Sequence, residues 1–215
     1  MIITLYASKS ASKTSLAVSM AVYLGQQKQR VVLADVDVPQ NSAHKWLKIR
    51  RSKPLPNQDW VQATDFFDVE ELKGLNKEFK FVIVDCSGKA DLNSFNAIDL
   101  SDFLIVPVKP ESITMMSLKE TLDNCIAYSK TKPVVIVITN CSTHHLVTST
   151  QDAKDIILKV INSYTNITLA NTTISERKVW KDIVAEGKGI TESKNKKAIL
   201  EFNNLMKELA CHWSK

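Results

Sequence analysis

Apolar residues along the chain fall into short continuous runs separated by stretches of helical periodicity. Ile2–Tyr6, Arg30–Ala34, Phe79–Asp85, Phe103–Val108, Pro133–Thr139 and Thr165–Ala170 read as strands. Most of these runs are apolar without alternation, as strands covered on both faces are. Between them lie helical patterns. Thr14–Gln27 sets Ala17, Met20, Ala21 and Leu24 on one face. Val69–Lys77 and Leu92–Leu100 are shorter helices, and Ser112–Tyr128 keeps Met115, Leu118, Leu122 and Ile126 in register. Asp152–Ser163 and Glu176–Glu186 follow, the latter ended by Gly187. Lys194–Trp213 closes the series, with Ile199, Phe202, Met206, Leu209 and Trp213 on one stripe. Residues 41–64 are polar, broken by Pro54 and Pro56, and read as irregular. Strand alternating with helix predicts an α/β fold, a doubly wound, mostly parallel sheet with helices on both faces, in one domain spanning residues 1–215. Such sheets bind ligands at the carboxyl ends of their strands.

Composition changes this picture little. The chain has 215 residues, 44% hydrophobic and 24% charged, enough apolar material for a sizeable core. No apolar run approaches the length of a membrane-spanning helix. Met1–Tyr6 has neither a basic start nor a cleavage site, so a strand is expected there rather than a signal peptide. A cytoplasmic location follows as an expectation. Cys86, Cys125, Cys141 and Cys211 are far apart and expected to be reduced thiols. His144-His145 lacks further ligands at zinc spacing.

The net charge of +5 is uneven. From Arg177 to Lys215 there are nine Lys/Arg against five Asp/Glu. A second stretch, 41–58, holds Lys45, Lys48, Arg50, Arg51 and Lys53 and no acid. Both suit either a polyanion partner or a solvated surface.

The chemistry gathers at strand ends. The first strand runs into Ser8-Lys9-Ser10-Ala11-Ser12-Lys13-Thr14-Ser15 and then a helix. This is where a phosphate loop belongs: backbone N–H groups wrap the phosphates, a lysine reaches them, and the next hydroxyl holds Mg²⁺. The glycines usual in such loops are replaced by Ser and Ala. The second strand ends in Asp35-Val36-Asp37 and the third in Asp85-Cys86-Ser87-Gly88. One carboxylate beside a phosphate loop orients the water shell of Mg²⁺, and another can position an attacking water.

With these residues in order, the sequence resembles the ParA/MinD-type P-loop ATPases, most closely the short ParA plasmid partition proteins. The resemblance runs through the loop, Asp35-x-Asp37 with Pro39-Gln40-x-Ser42, Phe81–Asp85, Ser101–Pro110, Val135–Asn140 and Ile174–Gly187. It implies ATP and Mg²⁺ as cofactors and ATP hydrolysis, provided the altered loop is competent. It also implies a homodimer in the ATP state, non-specific DNA binding, nucleoid association, a partner protein that stimulates hydrolysis, and no membrane role. By position it assigns catalysis to Lys13 and Asp37, and nucleotide contact to Lys9, Ser10, Ala11, Ser12, Lys13, Thr14, Ser15 and Asn140. Thr14, Asp35 and Asp85 would hold the metal. Arg177, Lys178, Lys181, Lys194, Lys196 and Lys197 would meet DNA.

Two departures bear on activity. The family's cross-dimer lysine falls here at Ser8, with Lys9 one place later; some carboxysome-positioning relatives lack it there too. Val38 is an extra residue between Asp37 and Pro39-Gln40. A degenerate relative that binds or scaffolds without turnover, or a positioning protein for a conjugation, secretion or pilus machine, is the alternative.

Overall fold

In the computed structural model the described residues are 1–7, 12–36, 42–65, 68–129, 131–143 and 149–213. The strands are β1 (Ile2–Leu5), β2 (Val31–Asp35), β3 (Val61–Asp65), β4 (Phe81–Asp85), β5 (Phe103–Val108), β6 (Val134–Ile138) and β7 (Ile167–Leu169). They form one sheet in the order β3-β2-β4-β1-β5-β6-β7. Every pairing is parallel.

The helices are α1 (Lys13–Gln26), α2 (Ser42–Arg51), α3 (Val69–Glu78), α4 (Leu92–Leu100), α5 (Ser112–Met116), α6 (Leu118–Ser129), α7 (Ser149–Ile161), α8 (Val179–Ala185) and α9 (Lys196–Trp213). They sort to two faces by strand parity. Ile3, Leu5, Leu33, Ile83, Ile105 and Val135 pack beneath α1, α2, α8 and α9. Their neighbours Ile2, Val32, Val82, Val84, Leu104 and Ile136 pack beneath α3, α4, α6 and α7. With both faces covered, the inner strands bury every residue, which is why they read as unbroken apolar runs.

Local chemistry sets several boundaries. Asp68 and Asp91 cap α3 and α4, accepting the N–H of Glu71 at 2.9 Å and of Ser94 at 2.8 Å. The α1 helix is buried almost all round, not on one face as its periodicity suggested.

The stretch 41–64, expected to be irregular, contains α2 and β3. Ala43, Trp46 and Leu47 are the buried face of α2, and the position completing that stripe is occupied by a fully buried arginine, Arg50. The helix expected over 112–128 breaks at Ser117 into α5 and α6. That expected over 176–186 is shorter, Val179–Ala185. Along α9 the buried residues are Ala198, Phe202, Leu205, Met206 and Leu209. Its apolar stripe is therefore spent on the core. Among the described residues no helix is long and apolar enough to cross a membrane.

Candidate functional site

The carboxyl ends of β1, β2 and β4 meet the first turn of α1 at one edge of the sheet. Register makes the meeting: Leu5 and Asp35 are each level with Asp85, and Asp65 at the end of β3 is level with Asp35. Three strands thus deliver three carboxylates in one row.

Lys13 opens α1 and is 9% exposed. Its Nζ folds back to donate to the Ala7 carbonyl at 3.0 Å. Thr14 Oγ1 donates to Asp85 Oδ2 at 2.6 Å, a short charge-assisted bond. Ser12, immediately before the helix, has φ 63°, and its Oγ donates to Asn140 Oδ1 at 2.8 Å. Ser15 Oγ donates to the Trp180 carbonyl at 2.9 Å.

Asp35 is 1% exposed, and its Oδ2 accepts the Ala43 N–H at 2.9 Å. That N–H is one of the donors a helix start leaves without an internal partner. Asp35 thereby fixes the beginning of α2, the helix that follows residues 37–41. Lys9, Ser10, Ala11 and Ser8 of the expected loop lie outside the described residues. So do Asp37 and His144-His145.

The chemistry of this edge suits an anion with a hard cation. The first-turn N–H groups and dipole of α1 favour phosphate, and the Lys13 ammonium adds a full positive charge. Among the described residues no three His, Cys, Asp or Glu side chains gather into a metal cluster. Mg²⁺ at phosphate sites is held by one or two carboxylates, with the substrate's phosphates and water completing its shell. Thr14 and Asp85, paired at 2.6 Å, fit that donor set.

The expected DNA-contact residues divide. Lys178, Lys181, Lys194, Lys196 and Lys197 are exposed. Arg177 is half-buried and ion-paired to Glu201 at 2.6 Å. In the other basic stretch, Arg50 is buried on Glu192 and Lys53 donates to the Glu186 carbonyl at 2.9 Å.

The sequence reading missed Asp65 and its partner His44, whose Nδ1 is 2.8 Å from Asp65 Oδ1. It also missed Glu208, which accepts the N–H groups of Asn171 at 2.7 Å and Thr172 at 3.0 Å. Glu201 does the same for Ser175 at 3.1 Å. A glutamate seven residues from another on an amphipathic helix was the available signal. Cys86 follows Asp85, and burial raises its thiol pKa; burial likewise pushes Cys125 up to about 12.

Known proteins resemble this chain in sequence and fold. Residues 3–195 match the CobQ/CobB/MinD/ParA nucleotide binding domain. The chain belongs to that family. A curated relative, maintenance of carboxysome distribution protein A of Halothiobacillus neapolitanus, is 24% identical over 204 residues, covering 92% of this chain and 90% of its own. Apo McdA of Cyanothece superposes with a TM-score of 0.79 at 17% identity, over 97% of this chain and 98% of that one. A plasmid partition protein of Borrelia burgdorferi B31 bound to AMPPNP gives 0.74 at 18%, over 98% of both chains. A MinC:MinD cell division complex of Aquifex aeolicus gives 0.74 at 13%, over 98% and 96%. The seven-stranded parallel sheet with helices on both faces is the ParA/MinD P-loop fold.

Proposed function

We propose that this chain is a ParA-type ATPase that positions a plasmid or other cargo, dimerising with ATP and binding DNA without sequence preference. The observation that carries the reading is the Thr14–Asp85 bond beside the buried Lys13 at the start of α1. Lys13 and the α1 N-terminus would bind the phosphates, and Thr14 and Asp85 would hold Mg²⁺. Bound Mg²⁺ would neutralise phosphate charge. Asp37 is assigned to orienting the attacking water. Lys178, Lys181, Lys194, Lys196 and Lys197 would meet the DNA backbone, and Arg177 would contribute only on leaving Glu201. Carboxysome maintenance and plasmid partition among the similar proteins support cargo positioning as the broader role.

Ser12, at φ 63° where a glycine is usual, favours the second reading, a relative that binds nucleotide without turnover. Calorimetry with MgATP and phosphate release in the presence of DNA separate the two. Tight binding lost in Lys13→Ala, with DNA-stimulated release lost in Asp37→Ala, supports the ATPase. Tight binding with equal release from wild type and Asp37→Ala supports the scaffold. No MgATP binding by the wild type refutes both nucleotide readings.

A further inference from the structure

Residues 186–192 are wedged between α1 and α2. Gly187 has φ +69°, and a Cβ there would meet the Arg50 backbone nitrogen at 2.5 Å. Gly189 lies equally close to α1, where a Cβ would meet Val22 Cβ at 2.6 Å. Hydrogen bonds tie residues 180–192 to both helices. From α1, Ser19 Oγ accepts the Ile190 N–H at 3.1 Å, and Ser15 Oγ donates to the Trp180 carbonyl at 2.9 Å. From α2, Trp46 Nε1 donates to the Lys188 carbonyl at 3.1 Å. Arg50 donates to the Gly187 carbonyl at 3.1 Å and to the two Glu192 oxygens at 2.8 and 2.9 Å. The side chains of Arg50 and Glu192 are 0% and 6% exposed, so water does not weaken this pair.

The placement joins three parts of the molecule. The α1 helix begins with Lys13 and Thr14. The α2 helix begins on Asp35, directly after the segment holding Asp37. The wedge itself is flanked by Lys178 and Lys181 on one side and by Lys194, Lys196 and Lys197 on the other. We infer that residues 179–192 form a clasp through which events at the nucleotide edge set the placement of these lysines, Lys181 within it and the others beside it, with Arg50 and Glu192 as its positioning residues. This rests on the proposed nucleotide binding. A backbone in contact with two helices cannot keep both contacts when one helix shifts against the other, because a close-packed interior has no slack to absorb the movement.

Amide hydrogen exchange of the full chain, with and without MgATP, tests it. The wild type is compared with the double variant Arg50→Met/Glu192→Met, since a buried ion pair can be replaced by apolar side chains without loss of the fold. In the wild type, MgATP should slow exchange at least about fivefold both at residues 12–16 and at residues 179–197. In the double variant the slowing at 12–16 should remain and that at 179–197 should disappear. If the double variant does not fold, Glu192→Gln, which keeps the shape and removes the charge, replaces it. Wild-type slowing confined to residues 12–16 overturns the clasp and leaves nucleotide binding standing. So does undiminished slowing at 179–197 in the variant. Absence of any slowing in the wild type overturns both.

Discussion

Ser12 and Asn140 meet across 2.8 Å with both backbones left-handed, at φ 63° and 55°. A left-handed residue other than glycine costs about 1–2 kcal/mol, and asparagine tolerates the conformation better than serine. The hydrogen bond between them returns about 1 kcal/mol. Ser12→Ala should therefore destabilise by about 1 kcal/mol, keeping the strain and losing the bond. Ser12→Gly should unfold at higher denaturant than Ser12→Ala. Urea melts of the three proteins check the order, and an alanine variant more stable than the glycine variant contradicts it.

The Thr14–Asp85 pair predicts a metal-dependent phenotype. Thr14→Ala and Asp85→Asn should each weaken MgATP binding about tenfold, equivalent to about 1.4 kcal/mol. Binding of ATP in EDTA should change far less. Titration calorimetry in both conditions checks this, and equal losses with and without Mg²⁺ would count against a metal role.

Gly187 and Gly189 should respond differently to alanine. At Gly187 a Cβ meets backbone at φ +69°, so substitution should cost at least about 2 kcal/mol. Gly189 has φ −100°, an ordinary conformation for alanine. The nearest atoms a Cβ would meet there are all of the Val22 side chain, so Val22→Ala should rescue Gly189→Ala but not Gly187→Ala. Thermal melts of the two double variants provide the comparison.

Glu208 gives a pH dependence. Burial works against its carboxylate, but the N–H groups of Asn171 and Thr172 outweigh it and hold the pKa below the ordinary 4.5. The unfolded chain binds this proton more readily than the folded one. Its stabilisation is therefore present above pH 4.5 and lost as pH falls through the folded pKa. Glu208→Gln should lower stability by about 1 kcal/mol at pH 7, with the gap to wild type closing toward pH 3. Denaturant melts across that range check the sign.

Sequence pattern carried most of the fold because the inner strands are buried on both faces, so Phe81–Asp85 and Phe103–Val108 announce themselves as apolar runs. It failed where a polar side chain occupies a core position. Arg50 interrupts the apolar stripe of α2, and Glu192, distant in sequence, with the Gly187 and Pro56 carbonyls makes that burial tolerable. The β3 strand, Val61–Asp65, is an edge strand with one buried residue and so has little apolar signal. At the site, Lys13, Thr14 and Asp85 were legible because strand ends and a helix start converge in this topology. The Ser12–Asn140 bond was not, since it depends on two left-handed residues 128 positions apart. The commitment of Arg177 to Glu201 was hidden because the two are 24 positions apart and meet only once α9 packs against the sheet.

The strand order bears on how the chain reaches this structure during synthesis. The β1 strand precedes the other described strands in the chain, yet it lies between β4 and β5, whose paired residues begin near positions 82 and 103. No partner for β1 exists until synthesis has passed Asp85. The layer that α1 joins is completed later still, by Ala198, Phe202, Leu205, Met206 and Leu209 of α9. Ile2–Leu5 and the buried residues of α1 must wait in a growing chain that cannot yet bury them. Stepwise folding outward from β1 is incompatible with this strand order, because its pairings are non-local and wait for β4 and β5.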